Sequence, residues 1–189
     1  MSTVLGIDLG TQSVKIVFYD FDSRKTVAVE SAPLDLYQTE AGVAEQQAHW
    51  WIHAFRQALQ KVGNDIRNSI VAIGVSGQQH GFVPIDDTGE VLAPVKLWCD
   101  TSTGAECDAI TDAFGGVDAC IAEVGNPVLP GYTASKVRWF RDAKPGRYAQ
   151  MDSILLPHDY LNFYLTGERC MEAGDASGTG FLDIRTRQW

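Results

Sequence analysis

A carboxylate, a polar turn and a lysine follow one another within residues 6–15, which read Gly-Ile-Asp-Leu-Gly-Thr-Gln-Ser-Val-Lys. Asp8 ends one apolar run, and the turn leads directly into a second. Backbone N–H groups and hydroxyls in such a turn can face phosphate oxygens, and a carboxylate beside them can hold Mg²⁺ through water. The predicted phosphate-binding residues are Gly10, Thr11, Gln12, Ser13 and Lys15. Lys15 reaches the turn only if side-chain alternation along the second strand directs it there.

An ordinary tight hairpin containing an Asp and a Gly would account for the same residues, so the pattern alone leaves both interpretations open. It is not a Walker loop, because the Gly-x-x-x-x-Gly-Lys-Ser/Thr pattern is absent and no helix is expected after the turn.

A second polar loop, Ser-Gly-Gln-Gln-His-Gly at residues 76–81, places two amides and an imidazole side by side. Gln78, Gln79 and His80 can match the alternating donors and acceptors of a polyol. A lone histidine is more often a hydrogen-bonded surface or core residue, so this loop needs support from its context.

Two further residues could line a sugar pocket. Trp98 offers an apolar face to sugar C–H groups, although it could equally be core. Asp100 could bind a hydroxyl, but capping of the helix that begins soon after it is the favoured interpretation. The polar turn of Asp175, Ser177 and Thr179 is interpreted as loop stabilisation.

The elements that must position these residues follow from apolar periodicity. Strands are predicted at 4–9, 14–19 and 26–30, and an amphipathic helix at 46–62. The continuous apolar run at 70–75 predicts a strand buried on both faces of a mixed sheet.

Shorter elements are predicted in the second half. Strands are expected at 82–85, 95–98 and 154–156, and helices at 133–142 and 158–165. Thr103 and Glu106 form a predicted capping box for a helix that ends at Gly115-Gly116. A last strand is expected near 180–183.

Composition excludes some classes of function. Acidic residues outnumber basic ones 24 to 15, which argues against a nucleic-acid partner. The first residues lack a secretory signal, and no stretch offers about 18 uninterrupted apolar residues. We therefore expect a soluble, cytoplasmic protein with no membrane partner.

The segment at 6–15 resembles the first phosphate loop of the actin, heat-shock chaperone and sugar kinase superfamily. Four further regions resemble the FGGY carbohydrate kinases, and among them the xylulose kinases most closely. The first three regions are 76–81, Leu97-Trp98-Cys99-Asp100 and 131–142. The fourth is 156–168 taken together with 175–183.

The resemblance implies an α/β fold of the ribonuclease-H-like, actin-like ATPase kind, with a mixed sheet, flanking helices and a helical insertion at about 101–150. Residues 1–189 would form the N-terminal sugar-binding domain of a two-domain kinase whose C-terminal nucleotide-binding domain lies beyond Trp189. That missing domain would supply the general base and the adenosine site.

The implied reaction is the transfer of phosphate from ATP, with Mg²⁺, to a ketose, D-xylulose above all. Gln79 and His80 would contact the sugar, and Asp8 would be catalytic as the organiser of Mg²⁺ and phosphate. The chain alone is expected to be inactive. A kinase for glycerol, ribulose or fuculose, a filament- or chaperone-type actin-like ATPase, and a non-catalytic sugar-sensing module are the alternatives. A homodimer is left open.

Overall fold

A computed structural model describes residues 2–189. Its strands are β1 (Thr3–Leu9), β2 (Ser13–Asp20), β3 (Lys25–Pro33), β4 (Tyr37–Gln38), β5 (Ala44–Gln46), β6 (Ile70–Gly77), β7 (Val83–Ile85), β8 (Val95–Lys96) and β9 (Ser153–Leu155). Its helices are α1 (Ala48–Gln60), α2 (Asn64–Arg67), α3 (Gly104–Phe114), α4 (Val117–Val124), α5 (Thr133–Ala143), α6 (Pro145–Tyr148), α7 (Pro157–Thr166) and α8 (Ala173–Ala176). None of the helices formed by these residues is both long enough and apolar enough to cross a bilayer.

The chain divides into two compact units. Unit 1 comprises residues up to Leu36 together with Gln47–Gln78, and unit 2 comprises Tyr37–Gln46 together with Gln79–Trp189. The assignment of the whole chain to one sugar-binding domain with a helical insertion stays a prediction.

Unit 1 is built on a four-stranded sheet in the order β3-β2-β1-β6. The first three strands are antiparallel, and β6 runs parallel to β1, so the predicted mixed sheet is confirmed. Alternate side chains of β1 and β2 are buried, because one face of the sheet is covered. The buried positions are Leu5, Ile7, Leu9, Val14, Ile16 and Phe18.

Helix α1 covers β2 and β3 with the apolar stripe that the sequence predicts. Trp51, Ala54, Phe55 and Ala58 recur at helical spacing and are all buried. Burial of Trp51 and Phe55 contributes several kcal/mol, at about 25 cal/mol per Å² of apolar surface.

The prediction that the strand at 70–75 is buried on both faces is wrong. Most of β6 is exposed, with Val71 at 67% and Ile73 at 46% of their full accessibility. The reason is that α1 lies over β2 and β3, and among residues 2–189 only β1 pairs with β6.

Unit 2 contains two small sheets, ordered β4-β5-β8 and β7-β9, and most of the helices. A cluster of Phe82, Leu92 and Phe140 packs at its core, with the Phe82 and Phe140 rings edge to face at 5.4 Å. Phe140 belongs to α5, so this cluster attaches that helix to Phe82, the residue just before β7.

Two local predictions for unit 2 are wrong, the capping box at Thr103 and the strand near 180–183. Thr103 precedes α3 but makes no side-chain cap, because its buried hydroxyl bonds to Ser135 Oγ at 2.8 Å. Gly115 ends α3 in the left-handed conformation as expected, yet α4 begins immediately after Gly116 and was missed.

The strand predicted near 180–183 is also wrong. The chain before it forms α8 and a 3₁₀ turn at Ser177–Thr179, and within 180–183 only Asp183 takes part in a bridge, with Gln188. The Thr179 hydroxyl donates to the Ala176 carbonyl and accepts from the Phe181 N–H, so the backbone curls instead of extending.

Candidate functional site

Asp8 and Lys15 lie side by side on one face of the unit 1 sheet. The strand register pairs Asp8 with Lys15 on β2 and with Ser76 on β6, which places the three side chains on the same face. The Lys15 side chain therefore lies on the same face as the Asp8 carboxylate, and its binding of phosphate stays a prediction.

A shallow depression of about 330 Å³ covers this face, lined by Gly6, Ile7, Asp8, Lys15, Val17, Gly74, Val75 and Ser76. Gly6 and Gly74 keep its floor low, since neither carries a side chain. A methyl group added at Gly74 would meet no atom within 4 Å. The face is therefore open to a flat or extended group.

The turn between β1 and β2 is closed by the Gly10 N–H, which donates to the Ser13 carbonyl at 3.0 Å. A side chain at Gly10 would stand 3.1 Å from that carbonyl oxygen, so the tight turn favours glycine. Gln12 is exposed, whereas Thr11 Oγ1 donates to Gln78 Oε1 at 3.2 Å.

The Asp8 carboxylate fits the Mg²⁺ that the sequence resemblance implies. It is exposed, and no hydrogen bond or ion pair engages it within residues 2–189. Mg²⁺ prefers oxygen ligands and commonly binds one or two carboxylates plus substrate phosphates. No group of three or more His, Cys, Asp or Glu in the described part of the chain could hold a metal by itself.

The predicted sugar loop divides between the units. Gln78 belongs to unit 1, where its N–H donates to the Leu9 carbonyl at 2.7 Å and its amide receives the Thr11 hydroxyl. Gln78 is buried and braces the turn, so sugar binding by its amide stays a prediction. Gln79 is exposed in unit 2 and His80 follows it.

His80 adopts a left-handed backbone conformation, with φ at 56°. Residues other than glycine rarely occupy this region, so surrounding contacts must hold it there. The His80 N–H points at the Asp175 carboxylate, 3.1 Å from Oδ2 and 3.3 Å from Oδ1. The His80 carbonyl accepts from Lys136 Nζ at 2.8 Å and from Thr133 Oγ1 at 3.3 Å.

The His80 imidazole is held by contacts with Asp175, Tyr132 and Gly178. Nδ1 lies 2.6 Å from Asp175 Oδ1, an ion-pair distance whose direction is off the N–H axis. The Tyr132 ring lies 4.5 Å away between centroids. A side chain at Gly178 would stand 2.1 Å from Cε1, so only glycine leaves room for the ring.

Lys136 is a fully buried lysine on α5. Its ammonium donates to the carbonyls of His80 and Gly131, the latter at 2.7 Å. Burial lowers the pKa of Lys136 to about 7, and the nearby Asp100 carboxylate opposes that shift. The same lysine therefore attaches α5 to two loops.

Trp98 is not core, because 47% of it is exposed. A side chain at Gly131 would stand 2.6 Å from the Trp98 carbonyl oxygen, so the 131–132 backbone packs directly against Trp98. In unit 2, Trp98 thus packs against Gly131, and the His80 ring packs against the next residue, Tyr132. An exposed indole is suited to stacking on a sugar.

The interpretations of Asp100 as a sugar ligand and as the cap of α3 are both corrected. Asp100 is fully buried, and its carboxylate accepts from the Ala44 N–H, Lys96 Nζ and both the N–H and hydroxyl of Ser102. It neither presents an oxygen to a sugar nor caps α3, which begins at Gly104. Lys96 also contacts Glu45 at 3.2 Å, so these charges form an internal network.

Further titratable groups surround Asp175. His158 Nδ1 lies 3.8 Å from Asp175 Oδ2, and His158 Nε2 lies 3.4 Å from Asp159 Oδ1. Burial raises the pKa of Asp159 to about 6, against the opposing effect of His158. Glu172 caps α8, which carries Asp175, by accepting from the N–H groups of Gly174 and Asp175.

Sequence reasoning missed three residues that hold His80: Tyr132, Lys136 and Asp175. One signal for Lys136 is present in the sequence, since it falls with Thr133 and Phe140 on the buried stripe of α5. A lysine on an apolar stripe indicates a buried partner. Ser177 and Thr179 make local bonds as expected, but Asp175 acts at long range.

Comparison with known proteins decides the family. Residues 3–189 match the N-terminal domain of the FGGY family of carbohydrate kinases. The chain belongs to this family.

Two curated relatives show how FGGY kinases resemble the chain. A xylulose kinase of Haemophilus influenzae is 43% identical over 192 residues, covering 98% of this chain and 39% of its own length. A xylulose kinase of Lactococcus lactis is 34% identical, covering 100% of this chain and 38% of its own. The chain thus spans about two fifths of the length of these FGGY relatives.

The FGGY assignment agrees with the fold. The crystal structure of a xylulose kinase from Rhodospirillum rubrum superposes with a TM-score of 0.89 at 29% identity, covering 97% of this chain and 38% of that one. The predicted α/β fold of the actin-like ATPase kind is confirmed.

Proposed function

We propose that the whole protein carrying this chain transfers the γ-phosphoryl group of ATP to a ketose, D-xylulose above all, in the cytoplasm. The observation that carries the proposal is the 43% identity to a xylulose kinase over 98% of the chain. The seated His80 imidazole and the exposed Trp98 beside its supports agree with a polyol ligand.

In this proposal, unit 1 holds phosphate and unit 2 holds sugar. The Lys15 ammonium and the hydroxyls of the 10–13 turn would bind phosphate oxygens, and the Asp8 carboxylate would orient Mg²⁺ through water. Bound Mg²⁺ would neutralise phosphate charge. Gln79 and His80 would hydrogen-bond sugar hydroxyls while Trp98 packs on the C–H face.

The general base and the adenosine site would come from sequence beyond Trp189. The isolated 189-residue chain should therefore bind D-xylulose weakly or not at all and turn over no ATP.

A coupled assay of ADP release with the whole protein tests the proposal. With Mg-ATP and a panel of D-xylulose, D-ribulose, L-fuculose and glycerol, we expect the highest kcat/KM for D-xylulose. A higher value for another polyol would reassign the substrate, and no sugar-dependent ADP release would overturn the kinase proposal. ATP turnover by the isolated chain would contradict the location of the base.

A further inference from the structure

The backbone of His80 is gripped from both sides by charged side chains that are distant in sequence. Its N–H meets the Asp175 carboxylate 95 residues away, and its carbonyl meets the Lys136 ammonium 56 residues away. Both side chains are at least nine-tenths buried, Lys136 at 0% and Asp175 at 8% exposure. Two oppositely charged groups therefore engage the two ends of one residue.

Burying two ionised side chains around one residue costs desolvation free energy, which their contacts with that residue must offset. A buried ammonium and a buried carboxylate each lose hydration. Here polar groups of His80 replace part of it for both, and Lys136 donates also to the Gly131 carbonyl. His80 would leave the left-handed region without these contacts, because extended or right-handed backbone is favoured for a β-carbon-bearing residue.

The conformation decides where the imidazole goes. At a φ of 56° the ring lies over Gly178 and beside Tyr132, with Nδ1 next to Asp175. Nδ1 lies against the carboxylate and is buried, so Nε2 is the ring nitrogen left to meet a ligand.

We propose that Asp175 and Lys136 are positioning residues that lock His80 in the left-handed conformation and thereby set sugar affinity. This role rests on the proposed function, since it assumes that His80 contacts the sugar. Neither residue touches the reacting atoms in this proposal. Loss of either should raise the KM for sugar and leave the KM for ATP unchanged.

The test uses the whole protein with Asp175→Asn, Asp175→Ala and Lys136→Met. The isosteric Asn keeps one acceptor for the His80 N–H, so its effect should be smaller than that of Ala. For Asp175→Ala and Lys136→Met we expect the sugar KM to rise at least about tenfold, the effect of losing a charge-assisted hydrogen bond, with the ATP KM within about twofold.

Arg169→Met is the matched control. Arg169 also donates to two backbone carbonyls of unit 2, those of Asp86 and Asp87, but does not contact His80. Its loss should lower thermal stability without changing the sugar KM. An equal rise in the sugar KM for the control would mean that any loss of a cation in unit 2 has this effect, and would overturn the proposal.

A crystal structure of each variant separates this proposal from the kinase proposal. We expect His80 to leave positive φ in Asp175→Ala and Lys136→Met. If the wild type phosphorylates no sugar, the proposed function fails. The φ of His80 in the variants then still tests whether Asp175 and Lys136 hold the left-handed conformation. If the sugar KM and the φ of His80 both survive in Asp175→Ala and Lys136→Met, the lock is wrong whatever the substrate.

Discussion

Several ionisable side chains of unit 2 are buried, and Lys136 is the clearest case. Its folded pKa of about 7 lies below the ordinary 10.5, because burial disfavours the ammonium. The unfolded chain therefore binds more protons than the folded one between these two values. The penalty for charging Lys136 is fully present below pH 7 and disappears as the pH rises toward 10.5.

Lys136→Met should expose this penalty. The methionine has no proton to lose, so the wild type should gain stability relative to the variant as the pH rises from 7 to 10, by up to about 1.4 kcal/mol per pH unit. Thermal and urea unfolding across this range, followed by circular dichroism, measures the difference. Lys144→Met removes an exposed lysine and should give a curve parallel to the wild type. Parallel curves for Lys136→Met as well would contradict the low pKa.

The residues that sequence reasoning placed in the candidate site are those whose signal is local. Asp8, Lys15 and His80 stand in short polar patterns between apolar runs, whereas the shared face of Asp8 and Lys15 follows only from the strand register. The contact of Asp175 with His80 carries no such signal, because the polar turn that holds Asp175 is 95 residues away and meets His80 only in the folded chain. The burial of Asp100 depends likewise on a contact with the Ala44 N–H, 56 residues away, which a local pattern does not predict.

At the scale of elements, strong apolar periodicity predicts helices and strands correctly, whereas glycine stop signals predict their ends and successors less well. Helix α1 was found because its apolar stripe covers more than three turns. The sequence gives no signal for α4, because Gly115-Gly116 looks like a stop, whereas Gly115 follows α3 and Gly116 immediately precedes α4. The apolar run of β6 predicts a strand correctly, but its burial depends on which elements cover it.

The exposed apolar strand β6 should make the 189-residue chain self-associate. Val71 and Ile73 are exposed on a strand whose outer edge has no partner within residues 2–189, and such edges pair with other chains. Ile73→Lys should shift the chain toward monomer, since a lysine on an edge strand opposes pairing. Sedimentation velocity over a range of concentrations measures this shift.

The matched control for that experiment is Val29→Lys. Val29 is 52% exposed on β3, the other edge strand of the same sheet, which unlike β6 already carries charged residues that oppose pairing, Lys25 and Glu30. It should leave the association constant close to that of the wild type. Equal effects of the two lysines would indicate that added positive charge, and not the β6 edge, controls association.

At the scale of the whole molecule, the proposed reaction separates phosphate chemistry in unit 1 from sugar recognition in unit 2. Asp8→Asn keeps the shape of the side chain and removes the charge that would orient Mg²⁺. In the whole protein we expect kcat for sugar phosphorylation to fall at least about 100-fold, the usual cost of losing a group that stabilises transition-state charge. Sugar binding, measured by equilibrium dialysis without nucleotide, should be unchanged.

Asp65→Asn supplies the comparison for Asp8→Asn, because Asp65 is an exposed carboxylate on α2 of the same unit and lies outside the candidate site. It should leave both kcat and sugar binding at the wild-type level. A small loss of kcat in Asp8→Asn would remove the proposed role from this carboxylate. A parallel loss of sugar binding would instead mean that Asp8 supports the fold, since a group that acts only on phosphate and Mg²⁺ has no effect before nucleotide is added.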